Sequence, residues 1–230
     1  MTYKDKYFSI LGDSVSTLDC FSEPQGAAFY VGGAKENAGV YWPEDTWWGK
    51  VIAALGGKLL VNNSFSGSTV IRHPSYEIES YGCSDARTAA LSKDGILPDV
   101  IFVYLGTNDW GMCARVNENE GVAGDLAIFK VAYKVMLEKL KKNYPAAEII
   151  CITPSVSTRS SNPYFQFPYA YKGRHIAEYC DAICAVAAEY GCPAIDLVKD
   201  SEPYDTIDDW HPNAEGMQTL AEKILRGMKN

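Results

Sequence analysis

The sequence predicts an α/β fold in which a parallel sheet lies between layers of helices. Three observations predict it. Compact apolar runs alternate about five times with segments of helical spacing. The run at 100–105, Val-Ile-Phe-Val-Tyr-Leu, is unbroken, as a strand covered on both faces requires. Polar, glycine-containing turns follow the runs, and in a parallel sheet such turns share one edge.

Residues 7–11 form the first expected strand, stopped by Gly12-Asp13-Ser14. Residues 15–45 carry Gly26, Gly32, Gly33 and Gly39 among Phe29, Tyr30, Tyr41 and Trp42, and are expected to form a long functional loop. Trp47 and Trp48 open a helical pattern with Val51, Ile52 and Leu55, so core packing is their expected role. The second strand is expected at 58–61, followed by Asn62-Asn63-Ser64-Phe65-Ser66-Gly67. The third, at 100–105, runs into Gly106-Thr107-Asn108-Asp109. Leu126, Phe129, Tyr133, Met136, Leu137 and Leu140 mark a helix by their 3.6-residue spacing.

A fourth strand is expected at 148–152, and residues 155–172, rich in Ser, Pro and aromatics, form a second long loop. Ile176, Tyr179, Cys180, Ile183, Ala187 and Tyr190 give the next helix, and 194–197 the fifth strand. Asp208-Asp209-Trp210-His211 then precedes a last helix through Met217, Leu220, Ala221, Ile224 and Met228, with Asn213 as its N-cap.

A length of 230 residues without linker or repeat is expected to form a single domain over 1–230. Hydrophobic content of 47% with 22% charged residues excludes a disordered or fibrous chain. The net charge of -8 disfavours nucleic acid and membrane surfaces as partners. Self-association is left open. Seven cysteines without CxxC spacing read as free thiols, and with no signal segment or spanning run the expected location is the cytoplasm.

The polar turns can carry nucleophilic chemistry. A serine hydroxyl is a weak nucleophile until a base takes its proton, and that base must be held in one tautomer by a third group. Asp208 precedes His211 by three residues, so its carboxylate can turn back onto Nδ1–H and leave Nε2 to face a serine. The backbone N–H groups of Ser14 and Gly67 and the Asn108 amide are candidate donors to an oxyanion. Asp13 and Asp109 read as structural rather than catalytic. No Gly-x-Ser-x-Gly elbow, phosphate-binding loop or dinucleotide turn occurs. No His/Cys cluster has metal-ligand spacing, so neither metal nor cofactor is expected.

Gly12-Asp13-Ser14, Gly67 in its Asn-x-Ser-x-x-Gly setting, Gly106-x-Asn108-Asp109 and Asp208-x-x-His211 resemble, in order, the four blocks of the SGNH/GDSL hydrolase superfamily. Ser64 departs from the glycine that many members carry in the second block, which bears on turn geometry. The resemblance implies a flavodoxin-like three-layer α/β/α fold with a parallel five-stranded sheet of order 2-1-3-4-5. It implies Ser14 as nucleophile, His211 as base and Asp208 as its partner, with Ser14, Gly67 and Asn108 as the oxyanion hole. Trp110 and Trp210 adjoin these blocks, where indole faces can stack on sugar rings. With Asp13 they are the expected substrate contacts. The expected activity is hydrolysis of a small-molecule ester, acetyl esters of carbohydrate first. The alternatives are a lysophospholipase or thioesterase, an acyltransferase to a sugar hydroxyl, and a non-catalytic carbohydrate-binding relative.

Overall fold

A computed structural model describes residues 3–72, 80–155, 165–166, 170–199 and 203–229. His73 and most of the expected 155–172 loop lie outside the described residues. Five strands form a parallel sheet: β1 (Tyr7–Gly12), β2 (Lys58–Ser64), β3 (Val100–Tyr104), β4 (Glu148–Ile152) and β8 (Ala194–Ile195). Their order, β2-β1-β3-β4-β8, is the expected 2-1-3-4-5 when the five are counted along the chain. A small antiparallel sheet of β5 (Phe165–Gln166), β6 (Ala170–Tyr171) and β7 (Arg174–His175) stands apart from it.

Alternation along the strands divides the core into two halves. Ile101 and Val103 of β3 share one half with Phe129, Tyr133 and Leu137 of α5 (Phe129–Asn143) and Ile176, Tyr179 and Ile183 of α6 (Ile176–Glu189). Phe102 and Tyr104 face the other way. They pack with Trp47, Trp48 and Val51 of α2 (Trp47–Leu55) and Met217, Leu220 and Ile224 of α7 (Ala214–Gly227). A strand buried on both faces between helix layers is the three-layer arrangement. Thr46 caps α2 by accepting from Gly49 N–H, and Asn213 caps α7 by accepting from Gly216 N–H.

Several boundaries differ from expectation. β2 runs three residues further, because Asn62, Asn63 and Ser64 stay in the ladder opposite Ile10, Leu11 and Gly12. Their buried polar side chains find partners: Asn62 Nδ2 donates to Ser16 O at 2.8 Å and Ser64 Oγ to Asn62 Oδ1 at 2.5 Å. β8 is shorter, since Leu197 N–H donates to the Thr153 hydroxyl at 2.8 Å instead of to a strand carbonyl. The stretch 15–45 is not one loop. It holds α1 (Gly32–Ala38) and two short 3-10 turns. Two further short helices, α3 (Asp85–Ala89) and α4 (Thr107–Gly111), follow β2 and β3. Among the described residues no helix is long and apolar enough to cross a membrane.

Sheet register sets the site. Gly12 is level with Ser64 on one side and Tyr104 on the other, so β1, β2 and β3 end together. The chain leaves β1 toward β2 on one side of the sheet and leaves β3 toward β4 on the other, and the crevice at such a switch point is where open α/β sheets bind ligands.

Candidate active site

The turn after β1 is held from several directions. Asp13 Oδ1 accepts from Val15 N–H at 3.0 Å, starting the 3-10 turn Ser14–Ser16. The Ser16 carbonyl accepts from Trp48 Nε1 at 2.9 Å and from Asn62 Nδ2 at 2.8 Å. Gly12 sits where a Cβ would come within 2.7 Å of Ser64 Oγ and 2.8 Å of Ser16 Cβ. No larger residue fits there without moving the turn.

His211 is held by a loop folded on itself. Asp208 Oδ1 accepts from His211 N–H at 2.8 Å, and Asp208 Oδ2 lies 2.7 Å from His211 Nδ1. Asp209 takes φ 73°, a left-handed turn that aspartate tolerates, between the two. Burial pushes the Asp208 carboxyl up, but hydrogen bonds from the His211 ring and N–H outweigh it and hold the group below its ordinary range. The other ring nitrogen, His211 Nε2, lies 2.9 Å from Ser14 Oγ. Hydroxyl, imidazole and carboxylate thus stand in series. Tyr30 Oη donates to Pro212 O at 2.7 Å and Tyr204 Oη to Trp210 O at 2.9 Å, fixing the loop on both sides of the ring.

Asn108 projects from the start of α4. One of its amide hydrogens goes to Ser68 O, with Nδ2 at 2.9 Å, which leaves the second free to serve another acceptor. Gly67, at φ 79°, immediately precedes Ser68 and has the backbone conformation that favours glycine. Asp109 anchors the same loop, accepting from Val70 N–H at 2.9 Å and Ile71 N–H at 3.1 Å. Burial pushes the carboxyls of both Asp13 and Asp109 up to about 7.

A cleft of about 280 Å³ opens over Ser14 and His211, lined also by Thr107, Asn108, Gly111, Met112 and Trp210. Ser14, Asn108, Trp210 and His211 therefore meet at one opening, with Asp208 behind the ring. Two expected substrate contacts do not reach it. Asp13 is 0% exposed, its carboxylate turned into the turn it caps. Trp110 is 3% exposed and donates Nε1–H to Arg174 O at 2.8 Å, packed edge-on against Tyr171 and Trp210. Both are corrected to supporting positions. The sequence reading missed Phe29, which stacks on His211, and Gly111 and Met112 in the cleft wall. Aromatic crowding in 15–45 was the available signal for Phe29. Among the described residues no group of three or more His, Cys, Asp or Glu could hold a metal ion.

The fold and this rim define an α/β/α hydrolase of the flavodoxin-like kind. The profile of the GDSL-like lipase/acylhydrolase family matches residues 6–166, and the chain belongs to that family. Among solved structures it is similar to a candidate GDSL-like lipase from Bacteroides uniformis, at 32% identity and a TM-score of 0.71, over 98% of this chain and 96% of that one. A second, from Bacteroides ovatus, has 27% identity and a TM-score of 0.74, over 98% and 99% of the two chains. A carbohydrate acetylesterase from Sinorhizobium meliloti shares the fold at 18% identity and a TM-score of 0.66, over 98% and 99%. No curated protein matches the sequence.

Proposed function

We propose that the protein is a serine esterase that removes small acyl groups, acetyl first, from a carbohydrate through an acyl-enzyme. The observation that carries this reading is the unbroken series Ser14 Oγ to His211 Nε2 at 2.9 Å and His211 Nδ1 to Asp208 Oδ2 at 2.7 Å. In it Ser14 Oγ attacks the ester carbonyl while His211 Nε2 takes its proton. Asp208 holds Nδ1–H and stabilises the imidazolium that forms. The carbonyl oxygen becomes an oxyanion, served by the N–H groups of Ser14 and Gly67 and the second amide hydrogen of Asn108. His211 then gives its proton to the leaving alcohol, and water, activated by the same imidazole, releases the acid.

The cleft supports a short acyl group. Its volume of about 280 Å³ falls at or below the low end of ligand pockets, roughly 300 Å³. Trp210 at its wall supplies aromatic surface against which a sugar ring can pack. The fold shared with a carbohydrate acetylesterase agrees with this reading. A small-molecule ester is the only partner the mechanism needs, and no cofactor takes part in it.

The test is a panel of acetylated sugars against 4-nitrophenyl esters of increasing acyl length, run beside Ser14→Ala. Highest kcat/KM for acetyl sugars, absent in Ser14→Ala, is the expected result. A maximum beyond about eight carbons, a chain the cleft is too small to enclose, would overturn the acyl assignment. Activity surviving in Ser14→Ala would overturn the mechanism.

A further inference from the structure

Arg87 lies in α3 and is 4% exposed. Its guanidinium joins segments far apart in the chain. Nη2 donates to Gly12 O at 2.9 Å and to Asn63 O at 2.8 Å. Nη1 donates to Ser68 Oγ at 2.8 Å and also to Ser80 O, and Nε donates to Asn63 Oδ1. A guanidinium is a rigid planar fork with five donors, so these acceptors are held in a fixed mutual arrangement.

The partners are those on which the site is built. Gly12 ends β1 and leads into Asp13-Ser14. Asn63 lies near the end of β2. Ser68 follows Gly67, and its carbonyl accepts the Asn108 amide at 2.9 Å. One side chain therefore ties the nucleophile turn to the loop of Gly67 and, through Ser68, to Asn108. None of its five acceptors is a carboxylate. Burial lowers its pKa to about 10, partly countered by the Asp13 charge, so it remains a cation at neutral pH. A buried cation on neutral acceptors is costly, and apolar packing would serve the fold alone better.

We propose that Arg87 is a positioning residue for the oxyanion hole, setting the distance between the Ser14 turn and the donors Gly67 and Asn108. This rests on the reading of the site as a serine esterase. Arg87 touches no substrate. Its effect is to hold donors where the oxyanion forms, which is a transition-state effect and therefore appears in kcat rather than KM.

The test measures kcat and KM with 4-nitrophenyl acetate for Arg87→Met, Arg87→Lys and Ser68→Ala, each alone and combined with Asn108→Ala. Arg87→Met is expected to lower kcat about 10–100-fold, with KM within about twofold of wild type. Arg87→Lys recovers part of the loss, because it restores the charge but not the fork. In the Asn108→Ala background the Arg87→Met loss shrinks by about threefold or more, since one donor it positions is already gone. If Arg87→Met does not fold, Ser68→Ala carries the test, with kcat down about 3–10-fold and the same non-additivity. Losses that multiply fully with Asn108→Ala, or a raised KM at constant kcat, overturn the proposal. A wild type that turns over and takes a fluorophosphonate on Ser14, while Arg87→Met, Arg87→Lys and Ser68→Ala as single variants all match it, overturns the proposal alone. A wild type that does neither overturns the esterase reading and this proposal together.

Discussion

Phe29 lies flat on His211, with ring centroids 3.4 Å apart and planes 10° from parallel. Tyr30, the next residue, meets the imidazole edge-on at 6.5 Å. The ring is thus confined by an aromatic face as well as by Asp208. Since Asp208 is 41% exposed on its side chain, the carboxylate alone holds the imidazole in a partly solvated setting. The stack excludes water from one face and removes the rotation that would break the contact with Ser14.

Phe29→Ala should therefore lower kcat about 2–10-fold, the worth of an aromatic contact of about 0.5–1.5 kcal/mol. Phe29→Tyr keeps the face and should stay near wild type. Steady-state kinetics on one acetyl ester checks both, and equal rates for Phe29→Ala would remove the stack from the mechanism.

Asn108→Ala removes a proposed oxyanion donor and should reduce kcat about 10²–10³-fold. Asp208→Asn should cost up to about 10⁴-fold, because an amide cannot enforce the tautomer that leaves Nε2 to accept the Ser14 proton. The two variants separate by labelling. Asn108→Ala should retain slow phosphonylation of Ser14, whereas Asp208→Asn should lose most of it.

The contribution of Asp13 and Asp109 to stability should rise as pH falls from about 7 toward about 4. Asp13 and Asp109 are pushed up to about 7 by burial, while in the unfolded chain both titrate near 3.9. Between those values the folded state binds more protons, so acidification favours it, and above about 7 the contribution is gone. Asp13 Oδ2 has no hydrogen-bond partner among the described residues, while Oδ1 carries the cap to Val15. Asp13→Asn keeps an acceptor there and removes the titration. Its melting temperature should vary less than that of wild type between pH 5.5 and 8 in scanning calorimetry.

Gly111 lines the cleft beside Trp210. A Cβ there would meet Trp210 Cη2 at 3.4 Å, so a branched side chain fills the space beside the indole. Gly111→Val should lower kcat/KM for a butyryl ester at least about tenfold more than for the acetyl ester, as expected when space for methylenes is removed. A parallel decline for both esters would place the acyl group elsewhere.

Much of this was legible because the signals are local. Val100–Tyr104 is apolar at every position since both its faces meet helices, and the three-residue offset from Asp208 to His211 is a single turn. Gly12 and Gly67 announce a close approach and a left-handed backbone. What stayed hidden depends on contacts across the fold. Nothing near position 29 points to a partner 182 residues on, and nothing near position 87 points to acceptors at Gly12 and Asn63. Trp110 and Trp210 looked equivalent beside their motifs. A short helix turns one into the core while the loop before α7 brings the other to the cleft. β8 reads as four residues, but the Thr153 hydroxyl takes the N–H that would have continued it.

Ser14 and His211 are 197 residues apart, one in the first strand's turn and the other ahead of α7. A ribosome adding about 5–20 residues per second makes the serine roughly 10–40 s before the histidine. Throughout that interval the nascent polypeptide has the Ser14 hydroxyl without the imidazole that lies against it in the folded chain. On the proposed mechanism, translation halted before residue 211 releases a fragment that lacks the base, and activity waits for the segment ahead of α7 to reach the Ser14 turn.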